Sequence, residues 1–191
     1  MAELAGHDVQ LATDLAATAF PSRERYVDVC RKRAQALSIE GHCPRLPDAA
    51  QVPLRHPGPL ESDWQAGAID HFDGQLVVHP GIADAADVER RLWRAQVRTM
   101  LPFFDEMRLA LIDATRRRGL FVVPGRGDTI ELVDLLRALE RHAAHDPLTR
   151  AARELTRARN DLAHLRLVDE QRRQRLKEHL RAARLGGSIR V

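Results

Sequence analysis

Residues 157–164 read Arg-Ala-Arg-Asn-Asp-Leu-Ala-His, and they bring together three side-chain types able to act on a phosphodiester. A guanidinium fork matches phosphate oxygens two at a time, an imidazole can give or take a proton near neutral pH, and an amide can orient either. The surrounding apolar period predicts a helix. At about 100° per residue, Leu148, Ala152 and Leu155 fall within about 40° of Arg159, and Leu162 within about 60°. The spacing thus expects Arg159 in the middle of an apolar stripe, where a guanidinium has to be paired or open onto a cleft. Asn160 and His164 stand one turn apart on a neighbouring face, so the three groups converge near one edge of the stripe. A purely structural reading competes: Arg159 reaches a carboxylate on an adjacent helix, and Asn160 and His164 merely close their own.

Other candidate sites are weaker. Gly125-Arg126-Gly127-Asp128 opens a helix and could cradle an anion, but a turn between a strand and a helix explains two glycines equally well. There is no glycine-rich loop of Walker type and no His-Glu-x-x-His. Cys30, His42 and Cys43 lack the fourth ligand and the regular spacing of a zinc site. His142 lies near a helix end, where it suits the dipole.

The elements that must position these residues follow from period and punctuation. A short helix is expected over 7–19, broken by Pro21, and a second over 23–37 with Ser22 as its cap. Five prolines over 41–60 predict a linker or an extended crossing. A short helix is expected over Asp63–Asp70. Gln75–His79 and Leu120–Val123 are apolar runs that could pair as strands. Between them Trp93, Val97, Met100, Phe104, Met107 and Leu111 step by four and three, which predicts a long helix from about Asp84 to about Arg117 with Pro102 inside it. Three helices follow: one capped by Asp128 or Thr129 with Ile130, Val133, Leu136 and Leu139 inward, one capped by Asp146 with Pro147 at its first position, and one capped by Asp169. The fold class is therefore all-α: an antiparallel bundle of four main helices over 61–191, a Pro-rich linker over 41–60 and a helical appendage over 1–40.

Charge and composition narrow the function. Residues 141–191 hold 13 Lys or Arg against 6 Asp or Glu, while residues 1–140 hold 17 against 21. A basic surplus on the segment that carries the motif fits a phosphate-facing surface, although an arginine-rich genome would produce a similar bias. Eight aromatic residues are too few for a stacking platform that reads single strands. No apolar stretch is long enough for a membrane span, the first residues do not read as a secretory signal, and two cysteines fit a reducing cytoplasm.

Arg159-Asn160-x-x-x-His164 is similar to the arginine, polar residue, then histidine pattern of HEPN domains (higher eukaryotes and prokaryotes nucleotide-binding), and the full run resembles their commonest bacterial form. Its placement near the end of the penultimate helix, before a short turn and a last helix, resembles theirs too. So does the helix from Leu92 through Pro102 to Arg108, which looks like modules of bacterial conflict systems. The resemblance spans roughly residues 84–184 and leaves the first 60 outside. It implies a toxin or defence effector that cuts RNA as a homodimer, with no metal and no cofactor. Arg159, Asn160 and His164 would be catalytic, and Arg157, Arg166, Arg172 and Arg173 would face the RNA. The N-terminal helices would be an adaptor for a protein partner. The alternatives are a non-catalytic helical interaction module and a basic regulator of DNA, for which no helix-turn-helix spacing stands out.

Overall fold

The structure, a computed structural model, describes residues 2–5, 8–16, 22–44, 46, 60–72, 75–120 and 130–185. Among them lie eight helices and one hairpin: α1 (Ala2–Ala5), α2 (Val9–Ala16), α3 (Arg23–Ala36), α4 (Glu61–Gln65), β1 (Ile69–Phe72), β2 (Gln75–Val78), α5 (Ala85–Arg117), α6 (Leu132–His142), α7 (Pro147–Ala163) and α8 (Glu170–Ala182). The fold is all-α in class. No helix of the described residues is long and apolar enough to cross a membrane. Contacts divide the chain into two compact units, Met1–Ala95 and Gln96–Val191, with the division falling inside α5.

Helix starts follow from short acceptors placed where the first N–H groups have no partner. Ser22 accepts from Arg25, Asp84 from Asp87, Asp146 from Leu148 and Asp169 from Arg172, all at the backbone N–H. Pro147 occupies the first position of α7, where its missing donor costs nothing. Helix ends use one device repeatedly: a residue with positive φ just past the helix turns the chain so that the next N–H returns to a carbonyl five residues back. Gly119 does this after α5, but Ser38, Leu165 and Arg184 do it after α3, α7 and α8.

Two expectations are corrected and a third is tested in part. Asp70 belongs to strand β1, and the helix expected over Asp63–Asp70 is only the five residues of α4. Strand β2 pairs antiparallel with β1, Ile69 opposite Val78 and Asp70 opposite Val77, while residues 121–123 of the run considered as its partner lie outside the described residues. Helix α6 begins at Leu132, after an extended Glu131 that makes no side-chain cap, and buries Leu132, Leu135 and Leu139 while Val133 is exposed. The run Leu132-Val133-Asp134-Leu135-Leu136 is apolar in both registers, so periodicity alone could not choose between them. Asp128, Thr129, the glycine turn at 125–128 and most of the Pro-rich stretch lie outside the described residues.

The N-terminal unit is held by a polar cluster. Asp8 caps α2 through Leu11 N–H, accepts from Arg33 Nε of α3 at 2.7 Å, and stands 3.4 Å from His79 Nε2. Gly81 N–H donates to His79 Nδ1, which places the ring proton on Nε2, aimed at Asp8. Gly81 itself admits no larger residue, because a Cβ there would stand 2.3 Å from Cys30 O on α3. Burial is the largest influence on His79 and pushes its pKa below the ordinary 6.5, against the pull of Asp8. A histidine with a depressed folded-state pKa takes up its proton more readily when unfolded, so its contribution is present above 6.5 and is lost as pH falls below it. For Asp8 burial pulls upward, but the Arg33 and Leu11 hydrogen bonds outweigh it and leave the carboxyl below 3.8, so its share is lost only at lower pH still. Thermal melts from about pH 7.5 down to about pH 5.5 should show a fall in Tm that His79→Gln makes shallower. Equal slopes for both proteins would refute the role of His79.

Candidate functional site

The C-terminal unit is built around α7, which packs against both α6 and α8. Its buried positions are Leu148, Ala151, Ala152, Glu154, Leu155, Ala158 and Leu162, with Thr149 beside them. Over the last turns of the helix, where Arg159 lies, the buried positions Leu155, Ala158 and Leu162 centre roughly 70° away from it. Arg159 is therefore exposed, and not in the middle of the stripe as its neighbours in the sequence predict. Among the described residues of this unit the buried arginine is Arg173, 6% exposed, because the core-facing register of α8 runs Arg173, Leu176, Leu180. Its burial takes Arg173 off a solvent-exposed strip, and its guanidinium also pairs with Glu170.

Asn160 and His164 are exposed as well, and the i, i+4 spacing puts them on one side of α7. His164 is the cap residue of the helix, its N–H shared between the carbonyls of Asn160 and Asp161. Arg159 lies roughly 140° around the helix from His164 and lines a different feature. Among the described residues, the side chains of Arg159, Asn160 and His164 make no hydrogen bond and no ion pair. The structure thus brings Asn160 and His164 together and sets Arg159 apart.

The turn that carries these residues is fixed from several directions. Arg166 N–H returns to Asp161 O at 2.8 Å and Leu165 N–H to Leu162 O at 3.2 Å. The Asp161 carboxylate holds Arg166 Nε at 3.4 Å and Arg172 Nε of α8 at 3.0 Å. Arg157 pairs with the buried Glu154 at 2.7 Å. Three of the four arginines expected to face RNA thus keep part of their surface in solvent but are oriented by carboxylates of their own chain. From α5, Gln96 grips the turn with both ends of its amide: Nε2 donates to Val168 O at 3.0 Å, and Oε1 accepts from Val168 N at 2.7 Å. Both residues are buried. Sequence reasoning missed Gln96, although a signal was present: an amide midway between Leu92 and Met100 on a core-facing helix needs a buried partner.

Leu165 sits at the apex with φ of 58° and 71% of its surface exposed. A branched side chain in this region costs about 1 kcal/mol or more relative to glycine, and Leu165 has little packing to lose. Leu165→Gly should raise stability by about 1 kcal/mol, read as a higher denaturant midpoint. An unchanged or lower midpoint would mean that the leucine makes a contact worth more than its strain.

Arg159 lines a cleft of about 270 Å³ with Leu101, Phe104, Asp105, Arg108, Glu131 and Leu132. Arg108 is fixed there by Asp105 Oδ1 at 3.1 Å and by Ile130 O at 2.8 Å. A larger cleft, about 450 Å³, belongs to the N-terminal unit, where Arg91 is held by Asp87 and by Val78 O. The cysteine–histidine group does not assemble as a ligand set: Cys30 is buried, Cys43 exposed, and His42 pairs with Asp63 at 3.2 Å. No family model matches the chain, and no curated protein or solved structure matches it either.

Proposed function

We propose that the protein is an endoribonuclease of HEPN type, a toxin or defence effector that cuts single-stranded RNA as a homodimer without a metal. The observation that carries this reading is the contrast within one turn. The backbone of residues 160–169 is tied down by Gln96, Asp161 and two helix caps, while Arg159, Asn160 and His164 are left exposed with no side-chain partner among the described residues. Unpaired polar groups on a rigid support are what a preorganised site requires. In the reaction the His164 imidazole accepts the proton of a ribose 2′-OH. The 2′ oxygen attacks phosphorus, the bond from phosphorus to the 5′ oxygen breaks, and a water molecule protonates the leaving oxygen. The Arg159 fork stabilises the charge that builds on the phosphate oxygens, and Asn160 orients its partner group. Purified protein mixed with single-stranded RNA in EDTA should leave 2′,3′-cyclic phosphate and 5′-hydroxyl ends. RNA that stays intact at high protein concentration, or ends of the opposite kind, would overturn the reading.

A further inference from the structure

The cleft lined by Arg159 carries more information than the motif does. Two of its four charged groups are spent on each other, since Arg108 is bound to Asp105. The other two, Arg159 and Glu131, have no partner among the described residues, and they do not pair with one another across the cleft they share. Between them the wall is apolar: Phe104 and Leu132 are buried and Leu101 adds its side chain. With a carboxylate set against it, the cleft is formally neutral, so it is a poor trap for a bare phosphate. It suits a flat neutral ring that carries hydrogen-bond donors and is itself attached to a phosphate.

We propose that this cleft is a base-reading subsite that takes the guanine of the nucleotide whose phosphate lies on Arg159. The proposal rests on the ribonuclease reading for its substrate class. A carboxylate offers two acceptor oxygens side by side and no donor. Guanine is the base whose pairing edge places two donors side by side, N1–H and the N2 amino group. Adenine and cytosine each put a ring acceptor beside their amino group, which would face a carboxylate lone pair, and uracil offers one N–H flanked by carbonyls. Single-stranded RNA exposes these edges because its bases can be splayed out of the stack. Glu131 is exposed in the free protein and is covered only when a base enters the cleft, so a base that leaves the covered carboxylate unpaired costs binding, and the discrimination falls on Glu131.

Glu131 is well suited to the test because its side chain makes no capping bond to α6, so Glu131→Gln leaves the start of the helix unchanged. The probes are the four 3′-mononucleotides, titrated against the full chain by calorimetry or amide chemical shifts. The expected result is that 3′-GMP binds about tenfold or more tighter than the other three. Glu131→Gln, which turns one acceptor into a donor, should erase that preference, and Arg159→Ala should weaken all four nucleotides alike. Equal binding of the four, no binding of any, or a guanine preference that survives Glu131→Gln would overturn the proposal. RNA left uncut by a protein that still selects 3′-GMP supports the subsite and overturns only the ribonuclease reading.

Discussion

Replacing Gln96 by alanine will cost roughly 2–5 kcal/mol of folding stability. The substitution orphans two backbone groups at once, Val168 N–H and Val168 O, in a place where Gln96 is 4% and Val168 1% exposed. Water cannot reach either group without opening the turn, and each buried orphan costs about 1–3 kcal/mol. Gln96→Glu will not rescue the loss. It keeps an acceptor for Val168 N–H but sets a carboxylate oxygen against Val168 O and buries a charge. Urea denaturation should show a lower midpoint at unchanged slope for both variants, and hydrogen exchange at Val168 should quicken before the rest of the unit opens. A loss below about 1 kcal/mol with the Val168 amide still protected would mean that the tether does nothing.

The tether also marks where the sequence stops being legible. Caps are local, so Ser22, Asp146 and Asp169 could be read from a few residues each, and all three accept a first-turn N–H. The long period of α5 was legible for the same reason, with Met100, Phe104 and Leu111 buried as their spacing requires. Partners far along the chain were not. Gln96 and Val168 are 72 residues apart, and strand β1 is defined by pairing with β2, not by its own four residues. The arginines show the limit most clearly. Arg159 has apolar neighbours one turn away and is exposed, whereas Arg173 lies in a largely polar helix and is buried, a reversal that only the packing of α7 against α8 decides. The motif itself was found by residue type, whereas the cleft beside it was invisible, because Arg108, Glu131 and Arg159 come from three elements.

If the protein cuts RNA as proposed, His164→Ala and Arg159→Ala should each lower cleavage by about 10²–10⁴-fold while leaving the melting temperature within a degree or two, since both side chains are exposed and have no partner among the described residues. The informative experiment mixes the two dead proteins. Arg159 and His164 point roughly 140° apart around α7, too far for one chain to aim both at one phosphate from the same side. In a two-fold dimer the arginine of one copy can meet the histidine of the other, so each cleft is composite. Equal mixing makes about half of the dimers hybrid, and each hybrid holds one cleft with both groups intact and one with neither. About a quarter of the wild-type activity should then return. Clefts built within single chains would return none, because every chain in the mixture lacks one of the two groups. Recovery therefore demands both the dimer and the crossed geometry. A mixture as inactive as its components, with hybrids shown to form by mass spectrometry, rules the composite cleft out.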